Sequence, residues 1–241
     1  DVGYLNPFST DVFGQQLAAR LATTGAKTLS KPTPKPTSLA VVNIENGQPS
    51  YGFYRDGIAD RDYNAEDIVS MLKKHEPGLL HTGSLMAMPP EHHKVMHVIQ
   101  FAKALGWTIS IDVNLRTRVA ADLPAYLSSV QRMACLADWL KASDEDIHWL
   151  YSLPGGANVD QIVAEWIGPT DRVVLVTRGA EGTSVYRRRA ETIERFDVPS
   201  RKINVVDTVG AGDTFCANLL GQLSDADVLG ELLARRDDPL E

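Results

Sequence analysis

The chain has 241 residues, with 24 Lys and Arg against 31 Asp and Glu, which gives a net charge of −7 with histidine neutral. An acidic balance without a basic stripe argues against nucleic acid as a partner, because that binding rests on clustered Lys and Arg meeting phosphate. No apolar run approaches the ~20 residues of a membrane-spanning helix, and two cysteines, Cys135 and Cys216, cannot build a disulfide framework, which points to a reducing, cytoplasmic setting.

Taken in chain order, Phe13, Leu17 and Leu21 recur every four residues and predict a helix with one apolar stripe. The run Lys31-Pro32-Thr33-Pro34-Lys35-Pro36 predicts a stiff, extended arm, because Pro fixes φ and disfavours helix in the residue before it. Residues 38–44 and 50–55 read as two strands joined through Asn46-Gly47, a strong hairpin-turn signal. A hairpin inside an α/β chain is an inserted β element of the kind that serves as a lid. From 64 to 75 the pattern is helical again, with Asn64 as N-cap and Ile68, Met71, Leu72 and His75 on one face. Pro89-Pro90 opens a third helix, with Val95, Val98, Ile99, Ala102 and Leu105 inward and Gly106 closing it. Short strands are predicted at 78–81, 107–113 and 172–177. Val173-Val174-Leu175-Val176 lacks alternation, as expected of a strand buried on both faces of a parallel sheet. Arg187-Arg188-Arg189 falls between two strand-like runs and reads as a solvated turn. The expected fold class is α/β, a doubly wound, mainly parallel sheet with a small inserted β lid.

The chemistry concentrates in Val206-Asp207-Thr208-Val209-Gly210-Ala211-Gly212-Asp213-Thr214-Phe215. A glycine turn entering a helix leaves backbone N–H groups pointing outward at the positive end of the dipole, which binds anions, phosphate above all. An acid in that first turn would repel phosphate, unless a proton must be removed beside it as a phosphoryl group arrives. On spacing alone, Asp213 as that base and Asp213 as a simple helix cap both stand open. Two strands end in further polar sets: Asp112, Asn114 and Arg116 after one, Thr177, Arg178, Gly179 and Gly182 after another. Ligands of open α/β sheets sit beyond the carboxyl ends of strands, so these sets should crowd onto one edge.

The stretch Asp207-Thr208-Val209-Gly210-Ala211-Gly212-Asp213 resembles the C-terminal motif of the ribokinase-like (PfkB) carbohydrate kinases. The likeness runs from about Thr10 to about Leu223, and is greatest to fructokinases. Phe53-Tyr54-Arg55-Asp56, Ala59-Asp60-Arg61 and Asp112-Val113-Asn114-Leu115-Arg116 carry it, and Asp11-Val12-Phe13-Gly14 stands where the family has its Asp-x-Phe-Gly turn. The resemblance implies an ATP- and Mg²⁺-dependent sugar kinase acting on a primary hydroxyl, with fructose the leading substrate. By it Asp213 is the base, and Gly210, Ala211 and Gly212 form the anion hole. Arg55 and Tyr54 on the hairpin, with Asn114 and Arg116, meet the sugar or the phosphates. Thr177, Arg178, Gly179, Gly182 and Ser143 flank ATP. Asp146, in the place of the family's Asn-x-x-Glu acid, is the metal residue, and a monovalent cation near Asp207 belongs to the same set.

The same resemblance places the kinase core at residues 1–36 and 57–241, incomplete at both ends, and the hairpin contribution at 37–56. It suggests a homodimer through the lid, which Tyr51 and Phe53 would suit. A 2-keto-3-deoxygluconate or other sugar-acid kinase, and a non-catalytic sugar- or nucleotide-binding relative, are the alternatives. His93 and His97, four apart on a helix face, could hold zinc but have no evident third ligand. Cys216 reads as a small buried filler, although a helix start can also lower a thiol's pKa.

Overall fold

The computed structural model describes residues 1–45, 48–152, 158–204 and 208–226. Its backbone divides into two units, Asp1–Met71 and Leu72–Glu241.

In the first unit, β1 (Gly3–Tyr4) pairs in parallel with β2 (Lys27–Thr28), and α1 (Val12–Ala22) lies between them in sequence. Asp11 caps α1: its Oδ1 accepts from the Gly14 amide at 2.8 Å, and its carboxylate also takes the Thr37 amide and hydroxyl, both at 2.8 Å. These donors favour the ionised form and hold the Asp11 carboxyl far below the usual carboxylate range. Glycine at 14 is obligatory, because a Cβ there would stand 2.1 Å from the Ser9 carbonyl oxygen. The predicted stripe forms its helix, but Phe13 and Leu17 are about half exposed and only Gly14 of α1 is buried. Periodicity dictated the helix, not its cover.

Strands β3 (Leu39–Glu45) and β4 (Gln48–Tyr54) form the expected antiparallel hairpin, in register from Leu39 opposite Tyr54 to Glu45 opposite Gln48. The turn residues Asn46 and Gly47 lie outside the described residues, as does the Tyr51 side chain. Helix α2 (Ala65–Leu72) starts after Asn64, whose Oδ1 accepts the Glu66 amide at 2.8 Å, and ends three residues short of the expected His75. The backbone division falls at 71/72, so residues 1–36, the hairpin and 57–71 form one unit. Residues 1–36 share a unit with the hairpin because short-range polar ties hold the arm to 57–62. Ala59 donates to the Pro36 carbonyl at 2.9 Å, Asn6 to the Asp60 carbonyl at 2.8 Å, and Lys35 pairs with Asp62 at 2.7 Å.

The second unit carries a six-stranded sheet in the order β10-β9-β8-β7-β6-β5. β5 (Leu79–Gly83), β6 (Thr108–Asp112), β7 (Trp139–Ser143) and β8 (Val173–Thr177) run parallel, and β9 (Thr183–Arg189) and β10 (Thr192–Val198) add an antiparallel edge. The connecting helices are α3 (His92–Ala104), α4 (Leu123–Ala134), α5 (Asp144–Tyr151) and α6 (Val159–Ile167), and α7 (Ala211–Asp225) follows the antiparallel pair. The result is the expected α/β, mostly parallel sheet. Alternation sorts the strand residues by face. Ile109, Ile111, Leu140, Ala142, Val174 and Val176 are fully buried on one side. Ser110, Trp139, Lys141 and Leu175 project from the other, against Cys216, Leu219 and Leu220 of α7.

The arginine run is also corrected. Arg187, Arg188 and Arg189 lie on β9, not in a turn; the turn is Ala190-Glu191, with Ala190 at φ 52°. Arg187 and Arg189 pair with Glu194 across the hairpin, and Arg188 donates to the Gly168 carbonyl at 2.7 Å. Cross-strand pairing gave these cations partners that spacing along one strand does not reveal. Among the described residues no helix is long and apolar enough to cross a membrane.

Candidate active site

Parallel pairing of β5 through β8 brings their carboxyl ends to one edge. Gly83 stands opposite Asp112, Asp112 opposite Lys141, and Ser143 opposite Thr177. The predicted residues of this unit therefore follow from neighbouring strand ends, as an open α/β sheet requires of a ligand site.

Beyond β6 the chain turns sharply. Asn114 takes φ 36°, a left-handed conformation that Asn tolerates better than most residues. The Leu115 amide then donates to Asp146 Oδ1 at 2.9 Å, and Arg116 is exposed. Beyond β7, Ser143 caps α5 in a reciprocal capping box. Its Oγ accepts from the Asp146 amide at 3.0 Å, and Asp146 Oδ2 accepts from the Ser143 amide at 2.9 Å. Asp146 is thus a buried brace that ties the β6 turn to the start of α5. Each of its oxygens accepts one backbone N–H, so the residue expected as the metal ligand also has a structural task here. Among the described residues no group of three or more His, Cys, Asp or Glu could hold a metal ion, and this also leaves His93 and His97 without a zinc site.

Beyond β8 the chain makes a tight loop with Gly179 at φ 50° and Gly182 at φ 99°. A Cβ on Gly182 would lie 2.1 Å from the Val198 carbonyl oxygen, so this glycine is required by close backbone approach. The Arg178 guanidinium is committed to the Ser184 hydroxyl and to Tyr186 Oη at 3.1 Å. Thr177 Oγ1 reaches the Ala142 carbonyl only at 3.5 Å.

The glycine turn opens α7 as the sequence predicted. Gly210 is the N-cap at φ 74°, and Asp213 stands exposed in the first turn. The Ala211 amide donates to the Thr208 carbonyl at 3.1 Å and the Thr214 amide to Gly210 at 2.8 Å. In this arrangement the Ala211 N–H closes the turn. Asp207 lies outside the described residues, so the cation expected beside it does too.

Sequence reading missed what lies beneath the turn. Lys141 Nζ donates to both Asp112 oxygens at 3.0 Å, and the pair is almost wholly buried at 8% and 4% exposure. Cys216, one turn along α7 from Gly212, donates its thiol to Asp112 Oδ2 at 3.5 Å. Burial pushes the Asp112 carboxyl up while the Lys141 ammonium pulls it back. Burial first, with the Asp112 charge second, pushes the Cys216 thiol up to about 12, so the buried-filler reading holds and the activated-thiol reading falls. His81 hydrogen-bonds Ser110 Oγ at 2.9 Å and feels the charges of Asp112 and Asp213, yet burial pulls its pKa down. The signal was legible in principle, because a Lys and an Asp each interrupt a buried apolar strand.

In the other unit, Arg55 pairs with Asp60 Oδ2 at 3.0 Å, its buried Nε has no hydrogen-bond partner, and Tyr54 is 67% exposed.

Comparison with known proteins decides the family. The description pfkB family carbohydrate kinase matches residues 1–235. The chain belongs to the pfkB family of carbohydrate kinases. A fructokinase of Rhizobium leguminosarum bv. trifolii is 35% identical over 204 residues, 85% of this chain and 59% of that protein. A fructokinase of Vibrio alginolyticus is 32% identical over 220 residues, covering 89% and 68%. The chain thus spans three-fifths to two-thirds of the length of these relatives. Among solved structures, the fructokinase of Xylella fastidiosa with bound ATP superposes with a TM-score of 0.79 at 24% identity, over 96% of this chain and 72% of that one. The apo fructokinase of Vibrio cholerae gives 0.75 at 26% identity, over 95% and 79%. The family's ribokinase-like fold is the one described above.

Proposed function

We propose that this chain carries the catalytic turn of an ATP-dependent fructose kinase, with Asp213 as the base. The observation that supports it is an exposed carboxylate in the first turn of a glycine-capped helix, beside the carboxyl ends of four parallel strands. Curated fructokinases at 35% and 32% identity favour fructose over a sugar acid. In the reaction a primary hydroxyl of the sugar attacks the γ-phosphorus of ATP in line, the bond to the β-phosphate oxygen breaks, and ADP leaves. Asp213 accepts the hydroxyl proton as the new O–P bond forms. The positive end of α7 and the amides of Gly210 and Gly212 face the charge that spreads over the transferring oxygens. Arg55, Tyr54, Asn114 and Arg116 belong to this reading as sugar or phosphate contacts, and Ser143, Thr177, Gly179 and Gly182 as the neighbours of ATP. Mg²⁺ would arrive on the nucleotide phosphates, keeping its waters, since the described residues offer it no cage of their own. Pairing of two copies through the hairpin belongs to the same reading, and light scattering in solution tests it.

A coupled ADP assay over fructose, 2-keto-3-deoxygluconate and ribose tests the substrate. Asp213→Asn preserves shape and removes the base, and should lower turnover by roughly 10²–10⁴. Near-parental turnover in a folded D213N protein would overturn the assignment.

A further inference from the structure

Gly212 is held without a side chain by one neighbour. A Cβ built there would stand 2.9 Å from Lys141 Nζ, closer than real Cβ contacts allow. Such a contact is ordinarily relieved by a small swing of a lysine tip. Here the tip is not free, because both Asp112 oxygens hold it at 3.0 Å and the pair is buried between β6, β7 and α7. Asp112 also takes the Cys216 thiol, so the ion pair meets α7 at two points one helical turn apart, under Gly212 and under Cys216. Asp213 is the residue next to the first of these points and faces outward.

We propose that the Asp112–Lys141 pair is the positioning element of the catalytic turn. The clamped ammonium is the floor on which Gly212 rests, and it fixes how far the first turn of α7 sinks toward the sheet. The height and direction of the Asp213 carboxylate follow from that seating. Two buried residues beneath the turn thereby set the geometry of the base. A charge pair suits the task better than an apolar filler, because the two hydrogen bonds fix the ammonium in place where a flexible chain would yield. Glycine at 212 is then required by what lies below it as well as by any anion above it. This inference rests on Asp213 acting as the base.

The test is a cycle between Gly212→Ala and removal of the pair. Lys141→Met alone strands a buried carboxylate and is destabilised on that account, so the pair is removed by Lys141→Met with Asp112→Asn, which leaves no buried charge. With a phosphoryl acceptor in hand, the pair-less protein should bind ATP and sugar with KM within about 3-fold of the parent, while kcat falls about 10-fold or more, as displacement of a positioned group does. Gly212→Ala should lower kcat at least 10-fold in the parent but no more than about 3-fold further in the pair-less background, where the methionine tip can yield. Melting temperatures of the four proteins read the clamp without turnover: Gly212→Ala should depress the parent more than the pair-less protein. Equal depression in both backgrounds, or parental kcat in the pair-less protein, would overturn the proposal. A parent that transfers phosphate to no sugar overturns the function proposed above and leaves the seating to be judged by the melting cycle.

Discussion

Arg172 offers the sharpest test of how the second unit is held together. It precedes β8, is 7% exposed, and no ion pair holds it among the described residues. Its two terminal nitrogens donate instead to backbone carbonyls, one to Trp166 in the last turn of α6 and one to Cys135 at the C-cap of α4, both at 2.6 Å. One guanidinium therefore closes the negative ends of two helices, where a cation is favoured by the macrodipole. Burial pulls its proton affinity down, yet an arginine stays charged. Arg172→Met keeps the stem but strands the buried Trp166 carbonyl at about 1–3 kcal/mol and loses the bond to the part-buried Cys135 carbonyl at about 1 kcal/mol, for a net loss of roughly 2–4 kcal/mol. For a protein of this size that is a fall of roughly 5–12 °C in melting temperature. Arg172→Lys can reach one carbonyl and should lose about half as much. Thermal and urea denaturation followed by circular dichroism measure both. If the methionine variant melted within 2 °C of the parent, or the lysine variant melted as low as the methionine one, the double-cap account would fail.

Three further outcomes are expected. At pH 8 iodoacetamide should modify exposed Cys135 in the native protein and leave Cys216 unmodified until denaturant is added, because the Cys216 thiol is buried and pushed up to about 12; mass spectrometry counts the adducts. Ala190 sits at φ 52° in the β9–β10 turn, so Ala190→Gly should stabilise by about 0.4–1 kcal/mol despite the added freedom of the unfolded chain, and a lower urea midpoint would refute the strain. Asp11 has a folded pKa held below its unfolded value, so its contribution is present above about pH 4 and is lost as pH falls below that. An Asp11→Ala protein should accordingly melt below the parent at pH 7, by a gap that narrows as pH falls from about 4 toward 2, and a gap unchanged over that range would refute the linkage.

Much of the fold was legible because its signals are local. The apolar runs at Val173–Thr177 and the inward positions Val95, Val98, Ile99 and Ala102 report burial directly, since alternation and the 3.6-residue period follow from backbone geometry. The Gly210–Asp213 turn was legible for the same reason, as glycine before an apolar helix has few other uses. Asp146 shows where this reasoning stops. Its position three residues after Ser143 is shared by a capping box and by a metal motif, and only the folded chain shows that the box forms and that Leu115 joins it. The arginine run failed in the same way, because its acidic partner lies on the next strand.

The sequence by itself indicated the α/β class, three of the parallel strands, the hairpin near residue 46, the helices α1, α2, α3 and α7, and the family. Tertiary structure alone decided that Lys141 meets Asp112, 29 residues away, and that together they lie beneath Gly212. It also decided that Arg172 closes two helices. The physical reason is register. Which residue of one parallel strand faces which residue of the next is set by packing the whole sheet against its helices, and no periodicity within a single strand encodes it.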